Sequence, residues 1–275
     1  MKRFKSIVFS VALGLIGLAF AACGAQAGGN GVENVRIGAT AIPHSQILSE
    51  VVPVLYDKGF NLEIIIFDDF VQPNLALAAG DIDINFFQHT PFLTNFNYNH
   101  GTELIPVFGV HFEPLRLYAG RLDNIDNVDL QGVSIGIPDD PTNEARALQL
   151  LESVGLIGLP VGGGLTVSAN DVTTNPNNID IIPMSAELLP RALEDLDFAV
   201  INGNFALLGG VIDYAIDGVG EVPGSEAAIT FTNYVVVRDG DENEAAVQAL
   251  IEALNSDNIR NFIYQEYQGR VVPTF

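Results

Sequence analysis

The sequence of 275 residues contains one cysteine and few basic residues. A single thiol cannot form a disulfide within the chain, so a disulfide framework is excluded. The 12 lysines and arginines stand against 34 acidic residues, giving a formal net charge of −22. Nucleic-acid binding requires clustered Lys and Arg, and the chain beyond residue 22 has no such cluster. The acidity is typical of a solvated surface rather than of a site for acidic substrates.

Motifs of catalysis and of metal binding are absent from the sequence. There is no G-x-S-x-G, H-E-x-x-H or C-x-x-C motif, and the glycine run Gly162–Gly164 lacks the Lys-Ser/Thr of a phosphate loop. The histidines His44, His89, His100 and His111 have spacings that fit neither a helical pair nor a tight loop. We therefore expect no metal, no cofactor and no enzymatic activity.

Residues 1–22 have the pattern of a signal peptide, with a basic start and an apolar run that ends before Cys23. The apolar run 7–22 has 16 residues, fewer than the roughly 20 that cross a bilayer, which disfavours an uncleaved membrane anchor. The segment resembles a bacterial lipobox, although Phe20 stands where Leu is usual. We predict lipidation at Cys23, with palmitate among the acyl chains, and a protein anchored to the extracytoplasmic side of the cell membrane. An ordinary secretory signal is the alternative.

The remaining sequence predicts a tether followed by two lobes. Residues 23–34 are small, polar and rich in glycine, as in flexible linkers. Apolar β-branched segments then alternate with helical patterns, which predicts βαβ units and parallel sheets in an α/β fold. We predict one lobe from residues 35–117 and 229–275 and a second from residues 118–228, with the chain passing twice between them.

Several elements are specific enough to be compared with a structure. Helices are expected at 45–57, 73–79, 141–154 and 186–194, with closing helices at 242–254 and 258–267. The segment Ile229–Val237 is expected to be the strand that returns the chain to the first lobe.

Residues just after the strands are the best candidates for binding, because ligands of parallel α/β sheets lie beyond the strands' carboxyl ends. Arg146 follows such a strand end, within the second turn of a helix that Asp140 caps. A guanidinium can bind a carboxylate with two hydrogen bonds, and the alternative for Arg146 is a surface ion pair. Asn202 follows a second strand and Asn233 lies in the return strand; amides suit the ammonium and carboxylate of a zwitterion.

An aromatic cluster ends another strand, in the segment IDINFFQHTPF. Neighbouring strand residues alternate sides, so Phe86, Phe87, His89 and Phe92 cannot all face one core. From spacing alone, packing in a core and lining of an apolar pocket are equally compatible with the pattern.

Three segments, 67–93, 138–159 and 188–206, closely resemble the NlpA/MetQ lipoproteins. The motifs P-N-x-A-L-x-x-G-D-I-D and D-P-T-N-x-x-R are specific to that family, whose members are methionine-binding components of ABC importers. The resemblance implies a type II periplasmic-binding-protein fold, with lobes that close on the ligand. It also implies a permease and ATPase complex as partner.

By resemblance, Arg146 is expected to bind the ligand carboxylate, and Asn202 and Asn233 its amino and carboxylate groups. The aromatic wall around the thioether is expected to consist of Phe70, Phe87, His89 and Phe92. Phe70 and Phe92 stand where Tyr is common, which makes the wall more apolar. L-methionine is the expected ligand, with D-methionine, a methionine-containing dipeptide or another apolar amino acid as alternatives.

Two other classes of function remain as hypotheses. The first is an enzyme on the same scaffold, with His89, Asp68 or Asp69 as its base. The second is a surface interaction protein whose lipid tether matters more than its pocket.

If Arg146 binds ligand as expected, its truncation to alanine should remove affinity and leave the fold intact.

Overall fold

The computed structural model describes residues 31–126 and 128–275. The predictions for the signal peptide, for Cys23 and for the tether up to residue 30 lie outside the described residues. In the described ranges, no helix is both long and apolar enough to cross a bilayer. Residues Val32–Phe275 form one compact unit.

The strands of the described chain are short and bounded by turns. In chain order they are β1 Glu33–Ala39, β2 Phe60–Ile66, β3 Ile84–His89, β4 Leu104–Phe112, β5 Arg116–Ala119, β6 Ser134–Pro138, β7 Asp180–Met184, β8 Phe198–Ile201, β9 Ala215–Gly220, β10 Thr232–Arg238 and β11 Val272–Pro273.

The helices alternate with these strands. They are α1 Gln46–Asp57, α2 Gln72–Ala79, α3 Thr90–His100, α4 Pro141–Ser153, α5 Leu189–Ala192, α6 Gly203–Leu208, α7 Glu226–Thr230, α8 Ala245–Leu254 and α9 Asp257–Tyr267. The helix predictions at 45–57, 73–79 and 141–154 are confirmed within two residues. The helix expected at 186–194 is a 3₁₀ turn at Ala186–Leu188 followed by the short α5.

Two sheets form within the described residues. The first has the strand order β11-β4-β10-β3-β1-β2 and the second the order β7-β6-β8-β5-β9. In each sheet three neighbouring strands are parallel, and the next strand, β10 or β5, is antiparallel to them. The expected α/β class with parallel sheet segments is therefore confirmed.

The chain passes between the sheets at two places. It leaves the first sheet after β4 and enters the second at β5, through residues 113–115, and it returns through the segment between β9 and β10. The return strand is shorter than expected, because Ile229 and Thr230 belong to α7. The predicted lobe boundary after residue 117 falls within β5. We propose that the two predicted lobes correspond to these two sheets.

Both faces of the first sheet are covered, and the alternation of side chains along β3 places its aromatic residues on opposite faces. Phe86 packs with one core cluster, whereas Phe87 packs with the cluster beneath α2 and α3. Valines of β10 alternate in the same way. The aromatic cluster is therefore divided between a core and the face that leads to the functional site.

Three residues of the motif at 73–83 fix the path of the chain into β3. Asn74 is fully buried, and its amide exchanges hydrogen bonds with Gln88 and receives one from Asn85. Gly80 ends α2 in the left-handed conformation, with φ of 80°. Asp83 receives two hydrogen bonds from the Arg36 guanidinium. These residues fix the start of β3 and thereby the position of its carboxyl end.

Candidate functional site

The helix α4 begins at the cleft between the sheets, and its first turn is fixed by local chemistry. The Asp140 carboxylate accepts a hydrogen bond from the Asn143 backbone N–H at 3.0 Å, and Pro141 occupies the first helical position. The same carboxylate accepts hydrogen bonds from the Asn143 side-chain amide. The cap therefore orients Asn143, and one turn later Arg146 reaches the same cleft.

The space in the cleft that a water-sized sphere can occupy is about 20 Å³, and residues from both sheets line it. All seven residues predicted to bind ligand line it: Phe70, Phe87, His89, Phe92, Arg146, Asn202 and Asn233. Five further lining residues were not predicted: Gln88, Glu113, Asn143, Gly203 and Asn204. By contrast, the described lining does not include Asp68 or Asp69.

Arg146 lies in the cleft wall with only 4% of its surface exposed. Its Nε donates to Glu221 Oε1 at 2.7 Å, and its Nη2 donates to Glu221 Oε2 and to the Glu113 carbonyl. Its Cζ also lies 4.0 Å from the centroid of the Phe231 ring. Within the described chain Nη1 has no hydrogen-bond partner. The ion pair is therefore buried and not at the surface, and one edge of the guanidinium remains for a ligand.

The apolar part of the cleft is a wall of phenylalanines. The Phe70 ring centroid lies 6.0 Å from that of Phe87 and 5.9 Å from that of Phe92. Phe70 also lies 4.8 Å from the ring of Phe205, which packs in the core of the second sheet. The wall therefore closes across the cleft, with Phe70 in contact with both lobes.

His89 connects the two lobes rather than simply extending the aromatic wall. Its Nδ1 accepts a hydrogen bond from the Phe92 backbone N–H at 3.2 Å and so caps α3. Because Nδ1 accepts, Nε2 carries the hydrogen and donates to Asn143 Oδ1, at 3.2 Å, on the second lobe. Burial, with a contribution from Arg146, lowers the pKa of His89 to about 3. With both nitrogens occupied, His89 is a neutral link.

Glu113 is a buried carboxylate in the first passage between the sheets, and it faces a pair of histidines. His111 Nε2 lies 2.8 Å from Glu113 Oε1, and His44 Nε2 lies 3.4 Å from the same oxygen. Gly203 makes room for this carboxylate, since a Cβ at that position would lie 2.9 Å from the Cβ of Glu113. Burial raises the pKa of Glu113, opposed by His44, by the Asn204 backbone N–H and by Arg146.

His44, His111 and Glu113 also form the only group of metal-ligand residues that converges in the described ranges, with ligand atoms within 4.8 Å. Their spacing in the sequence gave no sign of this convergence. Two imidazoles and a carboxylate are ligands that zinc accepts. Here, however, both Nε2 atoms lie against oxygen acceptors, Asn233 Oδ1 for His44 and Glu113 Oε1 for His111. This is the geometry of a hydrogen-bond network, in which the Nε2 atoms carry hydrogen and have no lone pair for a metal.

The two predicted amides present opposite chemistry to the cleft. Asn202 Nδ2 donates to Asn143 Oδ1 at 3.0 Å, and its Oδ1 is buried without a hydrogen-bond partner in the described chain. Asn233 Oδ1 is occupied by His44 Nε2 at 3.2 Å, whereas its Nδ2 makes only a 3.5 Å contact with the Phe231 carbonyl. Asn202 therefore offers an acceptor, and Asn233 offers a donor.

A family model described as NlpA lipoprotein matches residues 35–275. The chain belongs to the NlpA lipoprotein family. Among its relatives is the membrane lipoprotein TpN32 of Treponema pallidum, 37% identical over 237 residues that cover 86% of this chain and 87% of the relative. The methionine-binding lipoprotein MetQ of Bacillus subtilis is 32% identical, with 92% of this chain and 93% of the relative covered.

Solved structures of similar proteins include a nutrient-binding protein from Burkholderia cenocepacia bound to methionine. That structure is 33% identical to this chain with a TM-score of 0.81, and the match covers 88% of this chain and all of that one. The similarity confirms the expected fold of a type II periplasmic binding protein.

Two of the residues that were not predicted carried a usable signal. Asn143 stands inside the D-P-T-N motif, three residues before Arg146, on the same side of α4. Glu113 directly follows β4, and a strand ending near His111 is expected from the sequence, so its position at a strand end was also a signal. Of the bases proposed for an enzyme, Asp69 accepts hydrogen bonds from the backbone of Val71 and Gln72, and both ring nitrogens of His89 have partners.

Proposed function

We propose that this protein captures methionine between its two lobes and delivers it to an ABC importer. The observation that supports the proposal most strongly is the polarity of the cleft. Donors from Arg146 and Asn233 and acceptors from Glu113 and Asn202 converge in one enclosed space, beside a wall of phenylalanines. A zwitterion with an apolar side chain is the ligand that matches the donors, the acceptors and the phenylalanine wall together.

The head group of the ligand is assigned to polar atoms of the cleft that retain hydrogen-bonding capacity. The α-carboxylate binds Arg146 Nη1, which has no hydrogen-bond partner within the described chain, and Asn233 Nδ2, which makes only the 3.5 Å contact with the Phe231 carbonyl. The α-ammonium binds Asn202 Oδ1 and the Glu113 carboxylate. Hydrogen bonds to charged groups contribute about 1.5–3 kcal/mol each, so head-group contacts supply a large share of the affinity.

The side chain of the ligand lies against Phe70, Phe87 and Phe92. Burial of a methionine-sized side chain contributes about 1.5–3 kcal/mol, offset by several kcal/mol of lost freedom on association. The contact of Phe70 with Phe205 brings the lobes together over that side chain. Closure of two lobes around a ligand is a known mode of signalling in binding proteins, and the closed form is what we expect the importer to recognise.

The names of two similar proteins agree with this assignment. The Bacillus subtilis relative is named as a methionine-binding lipoprotein, and the Burkholderia cenocepacia structure contains methionine. By analogy we propose a permease and ATPase complex as partner and lipidation at Cys23 as the anchor on the extracytoplasmic side. We propose that capture involves no chemical turnover, so the protein acts as a carrier and not as an enzyme.

Isothermal titration of the purified protein tests the proposal. Bound small molecules are first removed by unfolding and refolding, and the released material is analysed by mass spectrometry. We expect one L-methionine per chain, bound at micromolar or tighter affinity, with weaker binding of D-methionine, leucine and a methionine-containing dipeptide. If none of these four ligands binds protein that has refolded to its native state, the assignment as a methionine carrier is wrong.

The anchor is tested separately by Cys23→Ser. We expect wild-type protein made in a bacterial host to be labelled by radioactive palmitate and to sediment with membranes, and the variant to be unlabelled and released. Methionine binding should be the same in both. Label on the variant would contradict lipidation at Cys23.

A further inference from the structure

His44 and His111 are two buried histidines that lie beneath the cleft and outside its lining. His44 is 1% exposed and His111 is fully buried. We propose that they are positioning residues, which fix the donor and acceptor polarity of the head-group site and thereby select zwitterions. The inference rests on the proposed function, since it names what sets the selectivity of that site.

The hydrogen-bond partners of His111 determine its tautomer. Its Nε2 lies 2.8 Å from a carboxylate oxygen of Glu113, which can only accept from it when ionised. Its Nδ1 is buried with no hydrogen-bond partner in the described chain, so a hydrogen there would be an unsatisfied donor. The ring is therefore neutral, with its hydrogen on Nε2, and it donates to Glu113. This hydrogen bond stabilises a buried carboxylate in the charged form that an ammonium requires.

His44 fixes the orientation of the Asn233 side-chain amide. Its Nδ1 lies 2.7 Å from the Thr40 hydroxyl, and its Nε2 lies 3.2 Å from Asn233 Oδ1. The hydroxyl can donate, so Nδ1 accepts and Nε2 donates to the amide oxygen. With Oδ1 held beneath the cleft, Asn233 is fixed with its NH₂ group available to a carboxylate. Without His44 the amide could rotate by 180° and present an acceptor.

The imidazole rings of His44 and His111 pack against each other and against Phe86. Their centroids lie 4.8 Å apart, and each ring packs edge-on against Phe86, at 4.7 Å for His44 and 5.3 Å for His111. Phe86 is fully buried on the core face of β3. The pair is therefore held by the core of the first lobe, which gives the head-group site a rigid base.

Two analogues of methionine separate the roles. The compound 4-(methylsulfanyl)butanoate lacks the amino group, and 3-(methylsulfanyl)propan-1-amine lacks the carboxylate. For His111→Leu we expect methionine affinity to fall about 10- to 100-fold, whereas affinity for the butanoate stays within about threefold. For His44→Leu we expect a fall of about 10-fold for methionine and no comparable fall for the amine.

Conservative variants distinguish positioning from packing. His111→Gln and His44→Gln retain an N–H near the position of Nε2, so they should recover most of the discrimination that the leucine variants lose. His100→Leu is the matched control, because His100 contacts the Phe96 carbonyl at the end of α3 and does not line the cleft. It should leave the affinities for all three ligands unchanged.

Equal losses for methionine and both analogues would mean that the histidines only support packing, and the inference would be overturned while methionine binding stood. Failure of wild-type protein to bind methionine would overturn both. If the leucine variants do not fold, nitrogen-15 NMR of the wild-type imidazoles decides, because both rings must be neutral with hydrogen on Nε2. A hydrogen on Nδ1 of His111, or loss of methionine binding on treatment with a metal chelator, would contradict the assignment.

Discussion

Arg146 and Glu221 form a bidentate ion pair in the wall of the cleft. Arg146 Nε donates to Glu221 Oε1 at 2.7 Å, and Arg146 Nη2 donates to Glu221 Oε2 at 2.5 Å. Glu221 directly follows β9, where the chain begins its return to the first sheet. Its backbone N–H donates to the Leu115 carbonyl, and its carboxylate accepts from the Leu115 N–H. Arg146 itself donates to the Glu113 carbonyl. The arginine assigned to the ligand therefore also ties together the two passages between the sheets.

This relationship changes the expected result of truncating Arg146. We predict that Arg146→Ala lowers methionine affinity at least about 100-fold, through loss of the carboxylate contact. We now expect Arg146→Ala to destabilise the fold as well, because the Glu221 carboxylate would lose its partner in a largely buried place. Removal of one member of a buried pair costs about 3–5 kcal/mol of folding free energy.

Titration calorimetry and urea unfolding measure the two effects on the same protein. The Arg146→Lys variant retains the charge without the planar fork, and should be intermediate in both measurements. Arg191→Ala, an exposed position outside the described cleft lining, serves as the control. Methionine affinity within about threefold of wild type in the folded alanine variant would contradict the role of Arg146.

Methionine affinity should fall in acid. Burial raises the pKa of Glu113, and the groups that face it are His111 from β4, His44 from the turn before α1, Arg146 from α4 and the Asn204 backbone N–H from α6. The ionised carboxylate binds the ligand ammonium, so protonation as the pH drops through this pKa removes the charge partner. Affinity should then decrease by up to about tenfold per pH unit.

Calorimetry from pH 8 down to the lowest pH at which the protein stays folded tests this dependence. The Glu113→Gln variant, which has no charge to lose, should bind methionine weakly and with little change across the range. A wild-type affinity that equals that of the Gln variant throughout this range would show that Glu113 does not carry the ammonium contact.

Stability should also depend on pH, through the buried histidines. Burial lowers the pKa values of His44, His89 and His111 to about 3, from 6.5 in the unfolded chain. Between these values the unfolded state binds more protons, so the free energy of unfolding decreases as the pH drops below 6.5. Three such groups give a slope of up to about 4 kcal/mol per pH unit. Because the pKa of Glu113 is raised, the folded state can bind up to one proton more at this carboxyl, which reduces the slope by at most one proton.

Urea unfolding at pH 7.5, 6.5 and 5.5 measures the slope. The His89→Gln variant has one buried histidine fewer, so its slope should be smaller by about one proton. A free energy of unfolding that stays level from pH 6.5 to pH 5.5 would mean that these rings are not neutral in the folded state.

The aromatic wall can be tested at Phe70, which contacts both lobes. Phe70→Ala should lower methionine affinity by about 10-fold or more, because apolar surface against the ligand and against Phe205 is lost. The space created should reduce the discrimination against ethionine, whose side chain is one methylene longer. Tyr98→Ala, at a position that is 87% exposed, is the control and should change neither affinity. Unchanged binding in Phe70→Ala would place the side chain of the ligand elsewhere.

Of the seven residues predicted to bind ligand, six lie on or just after predicted strands, whereas Phe70 was expected only from the family resemblance. Strand-end placement pointed to Arg146 and Asn202, which both line the cleft, and to an aromatic cluster that the structure divides, with Phe86 in the core. Glu113 was missed because, in a chain with 34 acidic residues, its place after β4 gives no sign that its carboxylate is buried against His111 and His44. The role of Asn143 as the link between His89 and Asn202 depends on a distance across the cleft.

The alternation of strands and helices and the cap that begins α4 could be predicted from local sequence, because they depend on periodicity and on neighbours within a few residues. Only the folded chain shows that Arg146 pairs with Glu221, 75 positions away, and that His44 contacts Asn233, 189 positions away. Such contacts result from the packing of two sheets joined by two passages, and local sequence contains no information on which distant side chains that packing brings within 3 Å or so.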